Sequence, residues 1–262
     1  MKISMVLSCL LLISYAQAAC DLDGPTVMKK QLEQNRIESE REVQEVVLLD
    51  VKTNTKEKRG MKTFTKRASG ENEKSLLTFT EPKEIKGVAV LNWNESGQED
   101  QWLYSPDLKK LQRIAKGSKK NYFMGTDFTF ADLEGEKLKN NKYSCVKETS
   151  CGKGDTCYEI EALPVDDDVK ESYGYSKRIL WIEKKNLKTL RIEFYDLGNK
   201  RLKFLENPAW AQYGKAWKPT MAVMTREGEH KTFIRVTERQ VGRPIDDEIL
   251  SQRYLQKEMH IQ

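Results

Sequence analysis

The sequence predicts a mainly β protein of the α+β class, built on one large antiparallel sheet. Short segments in which apolar and polar residues alternate recur along most of the chain, as half-buried strands require. Helical periodicity is confined to a few stretches, and strands do not alternate regularly with helices. Because a parallel sheet needs such crossover helices, the pattern favours antiparallel pairing.

Thirteen segments carry the strand periodicity, and together they predict roughly a dozen short strands. They are residues 43–51, 58–67, 76–80, 88–93, 101–104, 109–114, 143–146, 157–163, 178–182, 190–195, 201–205, 221–225 and 232–236. A sheet of this size tends to curl or to close on itself. One of its faces must then be covered by other parts of the chain or must line a cavity.

Three stretches have helical character. Residues 23–36 begin with an Asp-Gly-Pro sequence that suits a helix start. Residues 128–133 predict one or two helical turns, which we expect Asp127 to cap. Residues 244–250 begin with Pro and acidic residues, again typical of a helix start. These stretches flank or interrupt the strands and do not build a helical domain.

The composition is that of a globular protein. The chain has 262 residues, of which 38% are hydrophobic and 32% charged, and this excludes collagen-like and wholly disordered classes. The net charge is +5, but no run of five or six like charges occurs, so a polybasic tail for nucleic acid is excluded. We therefore expect no nucleic-acid partner.

The first eighteen residues predict a secretory signal. Lys2 precedes an apolar stretch, residues 3–15, and residues 16–18 form a small-x-small cleavage site. A membrane-spanning helix would need about 20 apolar residues. We predict a signal peptide over 1–18 and a single domain over 19–262. Cleavage after Ala18 gives a soluble periplasmic protein, whereas acylation of Cys20 would anchor it to a membrane, and the poor fit of Gln17 favours the first alternative.

Four cysteines remain after the signal, an even number that predicts disulfides in an exported chain. Cys20, Cys145, Cys151 and Cys157 allow three pairings, which the sequence does not separate. The last three are spaced six residues apart around a turn-rich stretch. Because no CxxC pair or neighbouring histidine is present, a disulfide-closed loop is favoured over a metal site.

Few residues in the sequence are suited to catalysis. His230 and His260 are the only histidines, and no G-x-S-x-G motif is present. The acidic run 166–168 lacks the spaced ligands of a calcium loop, and a solvated turn is the favoured interpretation. We predict no catalytic residue, no metal and no cofactor.

Several strands carry their large apolar residues on one alternation, which predicts a strongly apolar face. This face is either a filled core or the lining of a ligand hollow, and periodicity does not choose between them. The candidate lining residues are Leu77, Phe79, Leu91, Trp93, Trp102, Ile192 and Phe194. In a hollow we expect few charges and mobile covers.

Three central segments resemble the outer-membrane lipoprotein-sorting family, a branch of the LolA-like superfamily. They read LLTFTEPKEIKGVAVLNW (76–93), QWLYSPDLKKLQRI (101–114) and FMGTDFTFADL (123–133). The resemblance implies a strongly curved, unclosed antiparallel half-barrel of roughly 11 strands with helices covering the concave face. The cysteines at 145, 151 and 157 distinguish this chain from LolA itself and indicate a sibling branch.

The resemblance also implies a function. Members shelter acyl chains of lipoproteins or lipids during transfer towards the outer membrane, and some are associated with RND-type inner-membrane transporters. Each CH₂ group removed from water contributes about 0.8 kcal/mol, so a long acyl chain binds strongly without recognition of its head group. We therefore expect a non-enzymatic periplasmic carrier, or alternatively an accessory protein of an RND-type lipid exporter.

Overall fold

The computed structural model of the protein describes residues 20–95, 97–152 and 154–261. The predicted signal peptide, residues 1–18, lies outside the described residues. Among the residues described, no helix has both the length and the apolar character that crossing a bilayer would require.

One antiparallel sheet of thirteen strands forms the body of the described chain. The strands are β1 (Ser39–Asp50), β2 (Thr55–Arg67), β3 (Glu73–Glu81), β4 (Ala89–Glu95), β5 (Gln98–Ser105), β6 (Lys110–Arg113), β7 (Asn141–Ser150), β8 (Thr156–Pro164), β9 (Lys177–Glu183), β10 (Thr189–Tyr195), β11 (Arg201–Tyr213), β12 (Ala216–Arg226) and β13 (His230–Val241). Each predicted strand segment falls on one of them in the same order. The mainly β, antiparallel prediction is confirmed, but the count of roughly 11 strands implied by the family is too low.

The sheet is open. Its strand order is β6-β5-β4-β3-β2-β1-β13-β12-β11-β10-β9-β8-β7, so β6 and β7 are edges that do not pair with each other. Neighbouring strands in this order are mostly joined by tight turns, and the one long excursion is the chain between β6 and β7. From β1 the chain adds neighbouring strands in order as far as the edge strand β6. It then crosses to the opposite edge and adds β7 to β13 in order, until β13 pairs with β1.

Strand pairing separates the two faces of the sheet. We call the face that carries Val46, Leu77 and Leu205 the inner face, and the opposite face, with Leu91 and Trp102, the outer face. The assignment follows from the alternation of side chains along each strand and from the paired positions between strands.

The inner face is concave. Lys203 of β11 donates to the carbonyl of Asp127 at 2.8 Å, and Gln101 of β5 donates to that of Phe130 at 2.9 Å. In a flat sheet the seven steps from β5 to β11 would span about 34 Å. Residues 127 and 130 are separated by at most about 11 Å of extended chain. Only a sheet that curves around this segment lets both contacts form.

The outer face of β2–β5 is covered by the C-terminal residues 244–261. The Trp93 indole donates to the carbonyl of Leu250 at 2.8 Å, and the Tyr104 hydroxyl donates to the Glu258 carboxylate at 2.7 Å. Helix α3 (Gln252–Gln256) lies in this region and buries Leu255. The helix predicted from Pro244 begins eight residues later than expected, because residues 246–250 form turns instead.

Helix α1 (Gly24–Gln34) packs on β7–β9. The Asp23 side chain caps its first turn, accepting from the Thr26 amide at 2.8 Å. Val27 and Met28 are buried against the inner-face residues of these strands. The extent of this helix agrees with the prediction from sequence.

Helix α2 (Asp167–Tyr173) replaces the solvated turn predicted at residues 166–168. Asp166 caps it by accepting from the Val169 amide at 2.8 Å, and the acids that follow occupy the first turn, where the helix dipole favours negative charge. The acidic run is therefore a helix start.

The described cysteines form two disulfides, Cys20–Cys145 and Cys151–Cys157. The second closes the predicted loop of six-residue spacing. The first ties the chain before α1 to β7, a pairing that sequence spacing left open.

Candidate functional site

Residues 115–140, which we call the cover segment, lie over the inner face. They contain three short 3₁₀ turns, Lys116–Ser118, Ala131–Glu134 and Leu138–Asn140. Four side chains from four different strands donate to backbone carbonyls of this segment. They are Arg59 to Met124 (2.5 Å), Lys203 to Asp127 (2.8 Å), Gln101 to Phe130 (2.9 Å) and Asn92 to Leu133 (3.0 Å). The sheet thus satisfies backbone groups that an irregular buried segment leaves without secondary-structure partners.

Aromatic residues of the cover segment fill one part of the concave space. Phe123 stacks on Phe79 with ring centroids 5.5 Å apart, and Phe130 contacts Phe123 edge-on at the same distance. All three are buried with Val46 and Val90 in one apolar cluster. The part of the inner face around Phe79 and Val90 is therefore a filled core.

The FMGTDF motif forms a tight turn. The Phe123 amide donates to the carbonyl of Phe128 at 2.8 Å, and Met124 and Gly125 both have positive φ, 49° and 73°. Glycine adopts such values without steric cost, which accounts for one letter of the motif. The turn inserts Asp127 into the sheet's interior.

Asp127 does not cap a helical turn, contrary to the prediction. Its fully buried carboxylate accepts from Arg226 at 2.7 Å, from Thr232 at 2.7 Å and contacts the His230 imidazole at 2.8 Å. Three partners from β12 and β13 compensate the buried charge, as burial of a carboxylate requires. No side chain caps the turn Ala131–Glu134 from its N-cap position; Thr129 and Asp132 instead bond each other, the Asp132 carboxylate accepting from the Thr129 amide at 2.7 Å and the Thr129 hydroxyl accepting from the Asp132 amide at 3.3 Å.

A second buried charge pair holds the same segment. The Lys203 ammonium is fully buried and lies 2.5 Å from the Asp132 carboxylate, which also accepts from the Tyr175 hydroxyl at 2.9 Å. Burial lowers the pKa of Lys203, although the charge of Asp132 opposes that shift. No local pattern marks this pair, because its members are 71 residues apart in the sequence.

Ion pairs also hold the end of the cover segment. The buried Glu134 carboxylate lies 2.5 Å from Lys119 and 2.8 Å from Lys137. Burial alone would raise the pKa of Glu99, but hydrogen bonds from Lys137 and Lys139 outweigh it and lower the pKa to about 2. These contacts make this end of the segment dependent on ionised carboxylates.

Glu136 forms a bidentate pair with Arg178, at 2.7 and 2.8 Å, and accepts from the Tyr143 hydroxyl at 2.5 Å. Burial favours the neutral acid, but the charge of Arg178 outweighs it and holds the pKa of Glu136 below its usual value. The same carboxylate, together with burial, raises the pKa of Tyr143.

A cavity of about 420 Å³ remains between the cover segment and the inner face. Its apolar wall comprises Leu77, Phe128, Leu133, Leu205, Met221, Ala222, Ile234 and Val236. Its polar wall includes Glu40, Glu42, Gln44, Arg67, Glu73, Lys218 and Arg239. The expectation of few charges in the hollow is wrong, because charged residues such as Glu40, Arg67 and Arg239 form a large part of its lining.

A second cavity of about 510 Å³ adjoins the first. Leu32 of α1, Leu138, Trp210 and Trp217 contribute apolar surface to it. The two cavities share lining residues such as Arg67 and Lys218, and we call the pair the hollow. Its volume falls within the range of small-molecule sites in proteins.

The charges of the polar wall are paired. Glu40 accepts from Arg67 at 2.5 Å and from Lys218 at 3.1 Å. Burial alone would raise the pKa of Glu40, but the charges of Lys218 and Arg67 outweigh it and lower the pKa. Burial lowers the pKa of Lys218, against the opposing effect of Glu40. Glu42 in turn accepts from the Arg239 guanidinium at 2.7 Å.

The seven candidate lining residues do not share one site. Leu77 lines the hollow, whereas Phe79, Ile192 and Phe194 lie on the inner face within packed apolar clusters. Leu91, Trp93 and Trp102 lie on the outer face beneath the C-terminal residues, and the two indoles contact edge-on at 4.9 Å. The two sets separate because successive residues along a strand point to opposite faces, and the register pairs Leu77 with Val90 and not with Leu91.

Sequence reasoning missed most of the hollow. Its apolar wall comes largely from β11–β13, whose strands were located but not assigned to a cavity. Alternation in segments 221–225 and 232–236 could have indicated Ala222, Ile234 and Val236. The polar wall carried no such signal, because partners such as Glu40 and Lys218 are 178 residues apart.

The lining of the hollow combines apolar surface with hydrogen-bonding groups, so its chemistry suits an amphiphile. Among the described residues, no group of three or more His, Cys, Asp or Glu is arranged to hold a metal ion. The His230 imidazole contacts the Asp127 carboxylate, and His260 Nε2 donates to the Gly87 carbonyl at 2.9 Å. The geometry is that of a binding site.

A family model described as that of an uncharacterized protein matches residues 71–257, well over half of the chain. No curated protein matches. The structure is similar to a domain described as an outer membrane lipoprotein-sorting protein from Vibrio parahaemolyticus, with a TM-score of 0.82, 24% identity and coverage of 89% of this chain and 98% of that one.

Two further structures are similar. A DUF1329 family protein from Desulfovibrio piger has a TM-score of 0.81 and 21% identity, covering 88% of this chain and 97% of its own. A LolA superfamily protein from Nitrosomonas europaea has a TM-score of 0.71 and 17% identity, covering 89% of this chain and 99% of its own. At these identities the likeness establishes the fold, which is the one that the resemblance of the central segments implies.

Proposed function

We propose that this chain, which belongs to a LolA-like family, is a non-enzymatic periplasmic carrier that binds acyl chains of a lipid or lipoprotein in the hollow. The observation that carries the proposal is the hollow itself, about 420 Å³ in its first cavity, walled on one side by apolar residues of a concave sheet. The lipoprotein-sorting neighbours support this choice of ligand.

The energetics favour such a ligand. Each CH₂ group placed against the apolar wall contributes about 0.8 kcal/mol, so a partly buried acyl chain offsets the loss of its own freedom. Hydrogen bonds from strand side chains, such as that from Lys203 to the Asp127 carbonyl, hold the cover segment over the inner face. The aromatic cluster fills only part of the space beneath that segment, and the hollow remains beside it. Of the seven lining residues predicted from the sequence, Leu77 is the one that would contact the acyl chain.

Two disulfides suit an oxidising compartment such as the periplasm. In the structure the Cys20 sulfur is bonded to Cys145, so acylation of Cys20 would require that disulfide to be absent. This supports the soluble carrier over the anchored form. We further propose that the protein transfers its cargo towards the outer membrane and that an RND-type inner-membrane transporter is its partner.

Filling the hollow tests the proposal. Ala222 faces the hollow and Val223 points to the opposite face of the same strand. We expect Ala222→Phe to abolish uptake of a fluorescent fatty acid and to remove lipid from the protein isolated from periplasm, as read by native mass spectrometry. Val223→Phe is the matched control and should bind as the unmodified protein does. Equal uptake by both variants, or a protein that never carries lipid, would refute the carrier.

A further inference from the structure

The second cavity is lined by four cations and four carboxylates, and most of them are paired. The cations are Lys29, Arg36, Arg67 and Lys218, and the carboxylates are Glu33, Glu71, Glu73 and Glu136. The ion pairs are Lys29 with Glu33 (3.9 Å), Arg67 with Glu73 (2.6 Å), Lys218 with Glu40 (3.1 Å) and Arg178 with Glu136 (2.7 Å). Among the described residues, only Arg36 and Glu71 line this cavity without an oppositely charged partner.

Arg36 is positioned by the end of α1. Asn35, the C-cap residue, accepts from the Trp217 amide at 2.8 Å and donates to the Leu187 carbonyl at 2.8 Å. The Arg36 guanidinium donates through Nη1 to the Gly70 carbonyl at 3.0 Å, in the turn between β2 and β3. A guanidinium has five N–H groups, so most of the donors of Arg36 remain available to a ligand.

Glu71 is held by the cover segment. Its Oε1 accepts from the Leu138 amide at 2.7 Å, and a carboxylate offers about four acceptor sites. The charges of Arg36 and Glu71 are not neutralised by these contacts, because both partners are uncharged backbone groups. Both residues are partly exposed, so a ligand in the cavity can contact them.

The two charged groups are neighbours that do not pair. Gly70, which accepts from Arg36, directly precedes Glu71 in the chain. Covalent geometry therefore limits the distance between the guanidinium and the carboxylate to at most about 11 Å. The absence of an ion pair between them sets a lower limit of 4.0 Å. An ion pair at each end takes about 3 Å, so the gap suits a short group that carries both charges.

A ligand with a single charge meets a repulsive neighbour in this part of the cavity. An anion bound at Arg36 lies near Glu71, and a cation bound at Glu71 lies near Arg36, so each loses part of the attraction it gains. A zwitterion satisfies both groups and adds no net charge. Apolar side chains that can contact an attached hydrocarbon line the same cavity, namely Leu32, Leu138, Trp210 and Trp217.

We propose that Arg36 and Glu71 form a head-group subsite for a zwitterionic lipid, in which Arg36 binds a phosphate group and Glu71 binds a primary ammonium group. Leu138 and Trp210 contact the adjoining hydrocarbon. The subsite rests on the proposed function and names the class of lipid that the carrier selects.

Binding of three single-chain probes to the delipidated protein, below their micelle-forming concentrations, tests the subsite. Palmitoyl lysophosphatidylethanolamine is zwitterionic, palmitoyl lysophosphatidylglycerol is anionic and monopalmitoylglycerol is uncharged. Because each partly exposed ion pair changes affinity by about twofold to fivefold, we expect the zwitterion to bind about fourfold to 25-fold tighter than monopalmitoylglycerol. The anionic probe should bind more weakly than the zwitterion, because Glu71 repels it.

Two variants test the two charges separately. Arg36→Gln should weaken binding of both phospholipids by about twofold to fivefold. Glu71→Gln should weaken binding of the zwitterion by a similar factor but strengthen binding of the anionic probe, because it removes the repulsion. Neither change should alter binding of monopalmitoylglycerol, which reports that each variant is folded. Arg243→Gln and Glu38→Gln alter exposed residues that line neither cavity and are the matched controls.

Failure of the subsite and failure of the carrier are distinguishable. If monopalmitoylglycerol binds but the three probes bind equally, or if the anionic probe binds most tightly, the head-group subsite is refuted while the carrier stands. If no probe binds the unmodified protein, both are refuted. A Glu71→Gln variant that binds monopalmitoylglycerol normally and keeps the original preference for the zwitterion likewise refutes the subsite.

Discussion

Two parts of the chain pack on the inner face, and they are held in opposite ways. The cover segment is fixed by buried charges and by side chains that donate to its carbonyls, as Lys203 does at Asp127. Helix α1 satisfies its own backbone and is held by apolar contacts of Val27 and Met28 and by the disulfide from Cys20.

The difference follows from the backbone of each part. An irregular segment must find partners for its peptide groups in the sheet, whereas a helix needs only an apolar stripe. Displacing the cover segment would expose several buried polar groups together, but α1 can separate from the sheet as a unit. We therefore expect α1 to be the side from which the hollow opens.

The largest effect should come from the disulfide that ties α1. Replacing Cys20 and Cys145 by Ser removes a cross-link between residues 125 apart, for which the chain-entropy estimate is a loss of about 5 kcal/mol in the free energy of unfolding. Replacing Cys151 and Cys157, only 6 residues apart, should cost about 2 kcal/mol. Urea unfolding of both variants measures the difference, and equal losses would contradict it.

The cover segment is tested by Lys203→Met. This change leaves the buried Asp132 carboxylate without its cation, and loss of one partner of a buried pair costs about 3–5 kcal/mol. Hydrogen exchange should show the loss concentrated in residues 115–140, with α1 unaffected. Lys200→Met, in an exposed turn, is the control and should stay within about 0.5 kcal/mol of the unmodified protein.

A smaller effect is expected where α1 meets β7. A Cβ atom at Gly24 would lie 2.7 Å from the backbone of Tyr143 and Ser144, so Gly24→Ala must push the helix away from the strand. We expect a loss of about 1–3 kcal/mol, read by hydrogen exchange in α1. Gly117→Ala meets no atom within 4 Å and is the control. An undisturbed α1 in the first variant would show that the close approach does not hold it.

The smallest effect concerns acid. The pKa of Glu99 is lowered to about 2 in the folded protein, against about 4.3 for an unperturbed Glu. The contribution of Glu99 to stability is therefore fully present above a pH of about 4.3. It is lost as the pH falls from about 4.3 towards 2.

As the pH falls through that interval, hydrogen exchange should therefore accelerate in the cover segment before it accelerates in α1. Glu99→Gln should flatten the acid dependence of the cover segment, whereas Glu84→Gln, at an exposed turn, should leave it intact. Simultaneous loosening of both parts in the unmodified protein would remove the distinction drawn here.

Much of the sheet could be read from the sequence, because alternation is a local property. Segments such as 190–195 and 232–236 were placed in strands of the correct order, and α1 was located by its Asp-Gly-Pro start. Strand ends were less accurate: β11 and β12 extend to Tyr213 and Ala216 through residues with little alternation.

The site was predicted only in part, for physical reasons. Alternation shows which residues of one strand share a face, but only the pairing register shows which residues of two strands share one. Here Leu77 pairs with Val90, so Leu91 points to the opposite face. Buried charge pairs such as Asp127 with Arg226 join residues 99 apart, and nothing local marks them. Helices were expected to cover the concave face. Helix α1 covers the part formed by β7–β9, whereas the cover segment over the rest is irregular, so for that larger area helical cover stays a prediction.

The polar wall has a consequence for how cargo would leave. A hydrocarbon chain against Ile234 and Val236 faces the Glu40, Arg67 and Lys218 group on its other flank, so only part of its surface escapes contact with polar atoms. The gain per methylene is then below the about 0.8 kcal/mol of complete burial. If the protein carries lipid as proposed, this smaller gain would ease release of the hydrocarbon to a more apolar acceptor.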